Sequence, residues 1–335
     1  MKHLLPKTNY YKANLHTHST ISDGKLSPKE VKEAYKKLGY QILALTDHNI
    51  IVDHSDMTEE DFLMLTAVEI NINHENYRAR FFGKTYHFNL ISKTPKNLWI
   101  PTKAPHKYPG GLAYEDKMQC EEMPLTFDVE SANQMIAKAN EMGFLVIFNH
   151  PTWSCLNYHD YAGLKGYWGM ELRNSECCLL GNNENNAGIW KELSNLGNKI
   201  FPIGADDMHF PRAVGLSWIM VGSDKLKYES VIEALEKGDF YMSCGPEIHN
   251  LTLENNVLKI SCSDARFITL ECQERFARRC NAESENWLHE AEFDITKFIE
   301  RSHGDESMYL HLTVTAPDGS YAATRAYYLN ELISR

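Results

Sequence analysis

Residues 13–51 read ANLHTHSTISDGKLSPKEVKEAYKKLGYQILALTDHNII, and the reading of this stretch decides the fold. A short run with apolar flanks ends in His16-Thr17-His18, the chain turns at Asp23-Gly24, and a helix follows. Ser27 suits the N-cap, Pro28 the first helical position, and Glu30 completes a capping box, in which each side chain satisfies a free backbone N–H. Val31, Ala34, Tyr35 and Leu38 repeat at helical spacing, and Gly39 closes the helix. The consecutive apolar residues Ile42 to Leu45 read as a strand buried on both faces, as in a parallel sheet. They lead into Thr46-Asp47-His48. Strand, helix and strand form one βαβ unit, with potential metal ligands just past both strand ends.

Outward from this unit the pattern recurs. Asp61–Ile70 delivers Glu69, and Thr85–Ser92 carries His87. A helix is predicted from Asp128 to Met142, and the apolar run Phe144–Phe148 leads to Asn149-His150-Pro151. Met170–Arg173 reads as a short strand, Asn186–Leu196 as a helix, and Lys199–Ile203 as a strand leading to Asp206-Asp207-Met208-His209. Ser217–Val221 and the helix Glu229–Lys237 follow. About seven strand-then-helix units predict an α/β fold, either a barrel or an open sheet.

Residues 93–125 interrupt the rhythm with five prolines and Gly110-Gly111, and read as a long loop excursion over the barrel face. Loops of that length often carry substrate contacts. After Phe240 short β-branched and aromatic runs take over: Leu251–Leu253, Val257–Ser261, Phe267–Cys272, Tyr309–Thr315 and Tyr321–Tyr328. Pro317-Asp318-Gly319 marks a turn between the last two. The expectation is a barrel over residues 1–244 and a small β-sandwich accessory domain over 245–335.

At 335 residues, one large domain plus a smaller one is the expected organisation. A net charge of −11 argues against bulk nucleic-acid binding, which needs a basic stripe, but leaves room for a small anionic substrate at a locally positive site. The eight cysteines form no CxxC pair, and the opening MKHLLPKTNYYK has no apolar signal-like run. No run approaches the ~20 apolar residues of a membrane span. These features predict a soluble cytoplasmic protein with reduced thiols and no membrane partner; they say nothing of its oligomeric state.

His16 and His18 are two apart at a strand end, so both imidazoles face one side and can share an ion. Such a pair alone is a weak signal and reads more readily as two solvated loop histidines. Repetition changes the balance: His48, Glu69, His87, His150, Asp207 and His209 each read as following an apolar run, and strand ends are where β/α barrels place functional residues. Six histidines and three carboxylates, with Asp23 counted, form a mixed N/O set suited to Zn, Mn or Fe.

LHTHS at 15–19, SDG at 22–24, LTDHN at 45–49, VE at 68–69, NHP at 149–151 and DMH at 207–209 resemble the polymerase and histidinol phosphatase (PHP) domain family. The resemblance covers roughly residues 12–240. It implies a distorted barrel of seven β/α units with two or three divalent metal ions at the strand C-termini. Carried over, His16, His18, Glu69 and Asp207 hold a first ion. Glu69 bridges to a second, held also by His87 and His150, and Asp23, His48 and His209 hold a third. His74 competes with His87 for its place, and the acid-x-His pattern selects Asp207 over Asp206.

Three divalent ions against three carboxylates leave a surplus of about three positive charges, which favours a phosphorylated substrate. The implied reaction is phosphoester hydrolysis of a nucleotide or metabolite by a metal-bridging hydroxide, with Glu69, Asp207 and His209 as catalytic residues. Arg212 and Arg173 are candidate phosphate contacts. Glu171 and Arg173 also read as a rim salt bridge, Asp47 and Asp206 as residues orienting a ligand, and Trp99, Tyr108 and Trp153 as ring contacts or packing under the loop. His54, His106 and His159 read as ordinary loop histidines. The alternatives are hydrolysis of a carbamate or carboxylic ester at the same centre and, from a different class, a non-catalytic binding protein.

Overall fold

The capping box at Ser27 forms: the Ser27 hydroxyl accepts the Glu30 N–H, and Glu30 Oε2 accepts the Ser27 N–H at 2.8 Å, opening helix α1 (Pro28–Lys37). Val31 and Tyr35 of α1 pack on Leu43, Leu45 and Met64. Ile42, Ala44, Leu63 and Leu65, the alternate residues of the same two strands, enter the central core instead. That division is why the run 42–45 is apolar without alternation. The computed structural model describes residues 1–74, 83–103, 107–273, 275–284 and 286–333; His106 lies outside the described residues.

The chain opens with β1 (Lys2–His3) and β2 (Asn9–Asn14), and α1 crosses from β2 to β3 (Ile42–Leu45), which pairs parallel with β2 and with β4 (Leu63–Asn73). β5 (Thr85–Ser92) departs from the β/α alternation and pairs antiparallel with β4, Asn71 opposite His87. Residues 74–84 are fewer than the dozen or so that a parallel crossover needs. The excursion contributes β6 (Trp99–Ile100) and β7 (Gln119–Cys120), paired parallel, with a 3₁₀ segment Pro109–Lys117 between them.

Helix α2 (Val129–Glu141), capped by Asp128, leads to β8 (Phe144–Phe148), antiparallel to β5 and parallel to β9 (Gly169–Asn174); β10 (Phe201–Ala205) is parallel to β9. β11 (Trp218–Ser223) returns antiparallel to β2, and β12 (Phe240–Ser243) lies antiparallel beside it. The strand order is therefore β10-β9-β8-β5-β4-β3-β2-β11-β12.

Among the described residues no ladder closes this mixed sheet into a ring. The chain just past β2 and β10 is joined by a single parallel bridge, Thr17 to Met208, in which His18 N–H donates to the Met208 carbonyl (3.0 Å) and Asp207 N–H to the His16 carbonyl (2.9 Å). That bridge brings the first motif and the last to the same rim.

The tail comprises β13 (Ile248–Glu254), β14 (Val257–Ala265), β15 (Phe267–Cys272), β16 (Ala277–Asn281), β17 (Leu288–Asp294), β18 (Tyr309–Thr315), β19 (Tyr321–Thr324) and β20 (Tyr327–Tyr328). β1-β13-β14-β17 form one sheet, while β19-β18-β15-β16 continue the large sheet through the β12–β19 ladder. Leu251, Leu258, Ile260, Ile268, Leu270, Leu312 and Val314 form the core between the two layers, joined by Leu4 and Leu5 from the chain's start. β16 and β17 escaped the sequence reading because ARRCN and LHEAEFD are mostly exposed and lack a clear apolar face. No described helix is long and apolar enough to cross a membrane.

Candidate metal centre

All nine residues expected as ligands converge at the rim where β2, β3, β4, β5, β8 and β10 meet. They form four overlapping groups: His18, Asp23, His48 and His209; His16, His18 and Asp207; His16, Glu69 and His150; His48, Glu69 and His87. Glu69 lies at the centre. Its Oε1 is 3.2 Å from His16 Nε2, 3.0 Å from His87 Nδ1 and 3.4 Å from His150 Nε2; its Oε2 is 2.8 Å from His48 Nδ1 and 3.5 Å from His18 Nε2. Asp207 Oδ1 is 3.0 Å from both His16 Nε2 and His18 Nε2. Asp23 spans the outer edge, 3.4 Å from His209 Nε2 and 3.5 Å from His48 Nε2.

The donor set fits divalent ions. Ligand atoms sharing one ion at ~2.1 Å stand about 3.0 to 3.4 Å from each other, and the separations here, 2.8 to 3.5 Å, bracket that range. Three buried atoms in the set, His48 Nδ1, Glu69 Oε2 and Asp207 Oδ1, have no well-aligned hydrogen-bond partner despite their close neighbours. Buried polar atoms are nearly always paired, so orphans that each belong to one of these ligand groups mark places built for cations.

Burial disfavours charge throughout the cluster, and the local partners decide the outcome. Burial pulls the His16, His150 and His209 imidazoles down, but nearby carboxylates outweigh it: His16 is raised well above its ordinary value by Asp207, Glu69 and Glu171. His150 is raised to about 9 and His209 to about 10. At His18 and His87 burial wins, helped by neighbouring imidazoles, and His87 falls to about 4. Burial would raise Glu69 and Asp207, yet the imidazoles around them hold both well below the carboxylate range.

Hydrogen bonds from behind hold this geometry. His16 Nδ1 lies 2.6 Å from Glu171 Oε1, which leaves Nε2 facing Glu69 and Asp207. Glu171 Oε2 accepts the His150 backbone N–H (2.8 Å) and the Asn174 amide (3.0 Å), and the same Asn174 nitrogen donates to Asp207 Oδ2 (3.0 Å). His150 Nδ1 meets Ser154 Oγ at 3.1 Å, and His87 Nε2 meets Asn71 Nδ2 at 2.7 Å. His150 (φ 21°) and Asp207 (φ 54°) sit in left-handed backbone, unusual for non-glycine residues and a common sign of functional constraint.

Several expectations are corrected. Glu171 is fully buried and bonded to His16 instead of forming a rim salt bridge with Arg173. Leu172 is an extra residue in the β9–β10 register, and beyond this bulge Arg173 stands beside Tyr321 and Cys244, away from the ligands. Arg212 is exposed over the Phe210 ring and does not line the cleft. Asp47 orients no imidazole: it accepts from Ser19 and Ser22, pinning the loop that presents Asp23. Asp206 faces the opposite way, accepting N–H bonds from Gly215, Leu216 and Ser217 and the Tyr35 hydroxyl. His74 packs against Phe127, and His87 takes the place at Glu69.

Above the ligands lies a cleft of ≈ 300 Å³. Tyr108 stacks over His48 at 5.8 Å, Trp153 stands edge-on to His150 at 4.9 Å, and Trp99 packs against Phe144 away from the cleft. Lys107 contributes an ammonium that no sequence motif marks; its Nζ donates to the Tyr108 hydroxyl at 2.7 Å. Glu176 also lines the cleft and accepts the His209 N–H. Neither residue stood next to a recognisable motif. Only the folding of the excursion and of helix Ser175–Leu179 over the rim reveals them.

Residues 14–99 match the PHP domain family. Among curated proteins, the chain is 41% identical over 70 residues to the DNA polymerase/3'-5' exonuclease PolX of Bacillus subtilis. It is 35% identical over 79 residues to a 5'-3' exoribonuclease of Haemophilus influenzae. These stretches are 20% and 22% of this chain and span only 12% and 29% of the relatives' own lengths. Among solved structures, a two-domain protein from Bacteroides vulgatus containing a predicted PHP-like metal-dependent phosphoesterase is 16% identical, with a TM-score of 0.43 and 98% of each chain covered. The lesion-specific endonuclease PfuEndoQ from Pyrococcus furiosus is 12% identical, with a TM-score of 0.42, covering 94% of this chain and 69% of that one.

Proposed function

We propose that the PHP domain matched at residues 14–99 belongs to a metal-dependent phosphoesterase centre completed by His150, Asp207 and His209. The chain then hydrolyses phosphate esters of a nucleotide or small metabolite. One observation carries this reading: the buried Glu69 carboxylate meets five imidazoles at 2.8 to 3.5 Å on the floor of an open cleft. The ligand sets are His16, His18, Glu69 and Asp207; Glu69, His87 and His150; and Asp23, His48 and His209, for two or three ions of Zn, Mn or Fe.

Such ions, when bound, polarise a phosphoryl oxygen and make water a nucleophile near neutral pH. The chain's own residues do the rest. Glu171 orients His16, and Asn174 holds Asp207. Lys107 offers a cation to the phosphate, while Tyr108 and Trp153 wall the cleft and limit water. The curated relatives are an exonuclease-polymerase and an exoribonuclease, so nucleic-acid ends join small phosphoesters as substrates to be tested. That widens the substrate class beyond the small anion that a net charge of −11 suggests.

The Thr17–Met208 bridge supports reading residues 1–244 as a distorted barrel drawn together at its rim, with 245–335 as an accessory unit. The eight free thiols suit a reducing, cytoplasmic setting. The test is a screen of the Zn-, Mn- and Fe-loaded protein against phosphomonoesters, phosphodiesters, carbamates and carboxylic esters. Phosphate-ester turnover that follows metal content is the expected result. Turnover of carbamates or carboxylic esters alone, or no turnover with any of the three metals, would overturn the reading.

A further inference from the structure

The tail sheet turns a polar face toward the large α/β layer. Along β15, β18 and β19 the residues Ile268, Leu270, Leu312, Val314 and Ala322 enter the tail core, so the residues between them face the other way. Register sets Arg279, Thr269 and Thr313 side by side in one row across the strands, and Glu271 beside His311 in the next. Opposite stands the helix Ala187–Asn195, presenting Trp190, 2% exposed, and Lys191. Between them lies a cavity of ≈ 320 Å³, as large as the cleft over the metal ligands.

Sheet faces that cover another layer are ordinarily apolar, since unpaired buried polar groups are costly. Tyr309 and Ala323 on this face do pack in the central core, but the part of it nearest β16 carries hydroxyls and charges. Arg279 Nε–H donates to Thr269 Oγ1 at 3.0 Å, and its guanidinium lies 4.9 Å from the Phe267 ring centroid, so its plane is held; the group carries four further N–H donors. Lys191 Nζ and His311 Nε2 each stand 3.6 Å from Glu271 Oε2. Among the described residues lining the cavity, the cations Arg279 and Lys191 outnumber the single carboxylate, on a chain whose net charge is −11. Trp190, 5.0 Å from His311 between ring centroids, supplies an apolar wall.

We propose that this seam is a second binding site, for a small metabolite bearing an oxyanion group, phosphate or carboxylate. Arg279 and the Thr313 hydroxyl grip the anion while the ligand's body rests against Trp190. Strand β9 separates the seam from the metal centre: Leu172 lines the seam, and the adjacent Glu171 holds His16 and the His150 N–H. The site is independent of whether the metal centre hydrolyses phosphate esters.

The test is calorimetric titration of the full-length, metal-loaded protein with inorganic phosphate and, separately, with succinate, alongside amide hydrogen exchange. Saturable binding of at least one probe is expected, with slowed exchange in 187–195 and 309–315. Which probe binds tells phosphate from carboxylate. Affinity should fall about tenfold or more in Arg279→Gln and in Thr313→Val. Arg279 is exposed, so its replacement leaves the fold intact. Unchanged affinity in Arg279→Gln, slowed exchange confined to the metal-ligand segments, or no saturable binding of either probe would overturn the proposal.

Discussion

Glu69 is legible as a residue of interest from its place after an apolar run, but its role depends on five imidazoles that arrive from four other segments. Glu69→Gln keeps the shape and removes the charge, so it is expected to lose bound metal together with turnover, checked by metal analysis and a phosphate-release assay. Normal metal content in that variant would refute the bridging position proposed for it. Glu171→Gln tests orientation instead. Weakening the carboxylate behind a ligating imidazole typically costs about 10- to 100-fold in metal affinity, so a loss of that size is expected while the fold persists. The raised His150 and His209 imidazoles also set a pH dependence. Both are largely protonated at neutral pH in the metal-free chain, and metal takes only the neutral imidazole. Uptake should therefore release protons, and apparent affinity should rise with pH up to about 9 to 10. Calorimetry in buffers of different ionisation enthalpy measures the protons released; a pH-independent affinity would contradict this.

At the scale of elements, α1 and the strands before and after it were readable because local signals agree: a capping box, a helical stripe and a doubly buried strand. β5 was harder. His87 lies at the start of an antiparallel strand, so it reaches the rim from the direction opposite to its neighbours, and a rule based on strand ends describes it poorly. The excursion was recognisable by its prolines, yet its docking was not. A Cβ on Gly110 would lie 2.1 Å from the Thr20 carbonyl oxygen, which places the Pro109–Lys117 segment directly against the loop between His18 and Asp23. Gly110→Ala must push that segment outward, and Lys107 and Tyr108 with it. We expect kcat/KM to fall about tenfold or more with metal content unchanged, since small misplacements of positioning groups are costly. Equal activity would show that the excursion does not contribute to the cleft.

For the whole molecule, the point of interest is continuity across residue 244. The β12–β19 ladder carries the large sheet into the tail, β1 pairs with β13, and Tyr309 and Ala323 pack in the central core. Removing 245–335 would bare the apolar side chains of Leu4, Leu5 and Tyr241 and the edge of β12. Such surfaces associate. The fragment 1–244 is accordingly expected to aggregate, and the full chain to unfold in one calorimetric transition with matching calorimetric and van't Hoff enthalpies. A soluble fragment with full metal content would instead make the tail an independent attachment.

The stretch 13–51 by itself determined the βαβ unit and pointed to His16, His18, Asp23 and His48, because helix caps, apolar runs and strand-end polarity are local properties of a chain. Tertiary structure alone decided three things: that Glu171 stands behind His16 while Arg173 faces away, that Lys107 reaches the cleft, and that the tail shares a sheet with the rest. Each depends on register, on a one-residue bulge at Leu172 or on a loop's landing place. Those are set by contacts between segments far apart in sequence, and no local pattern records them.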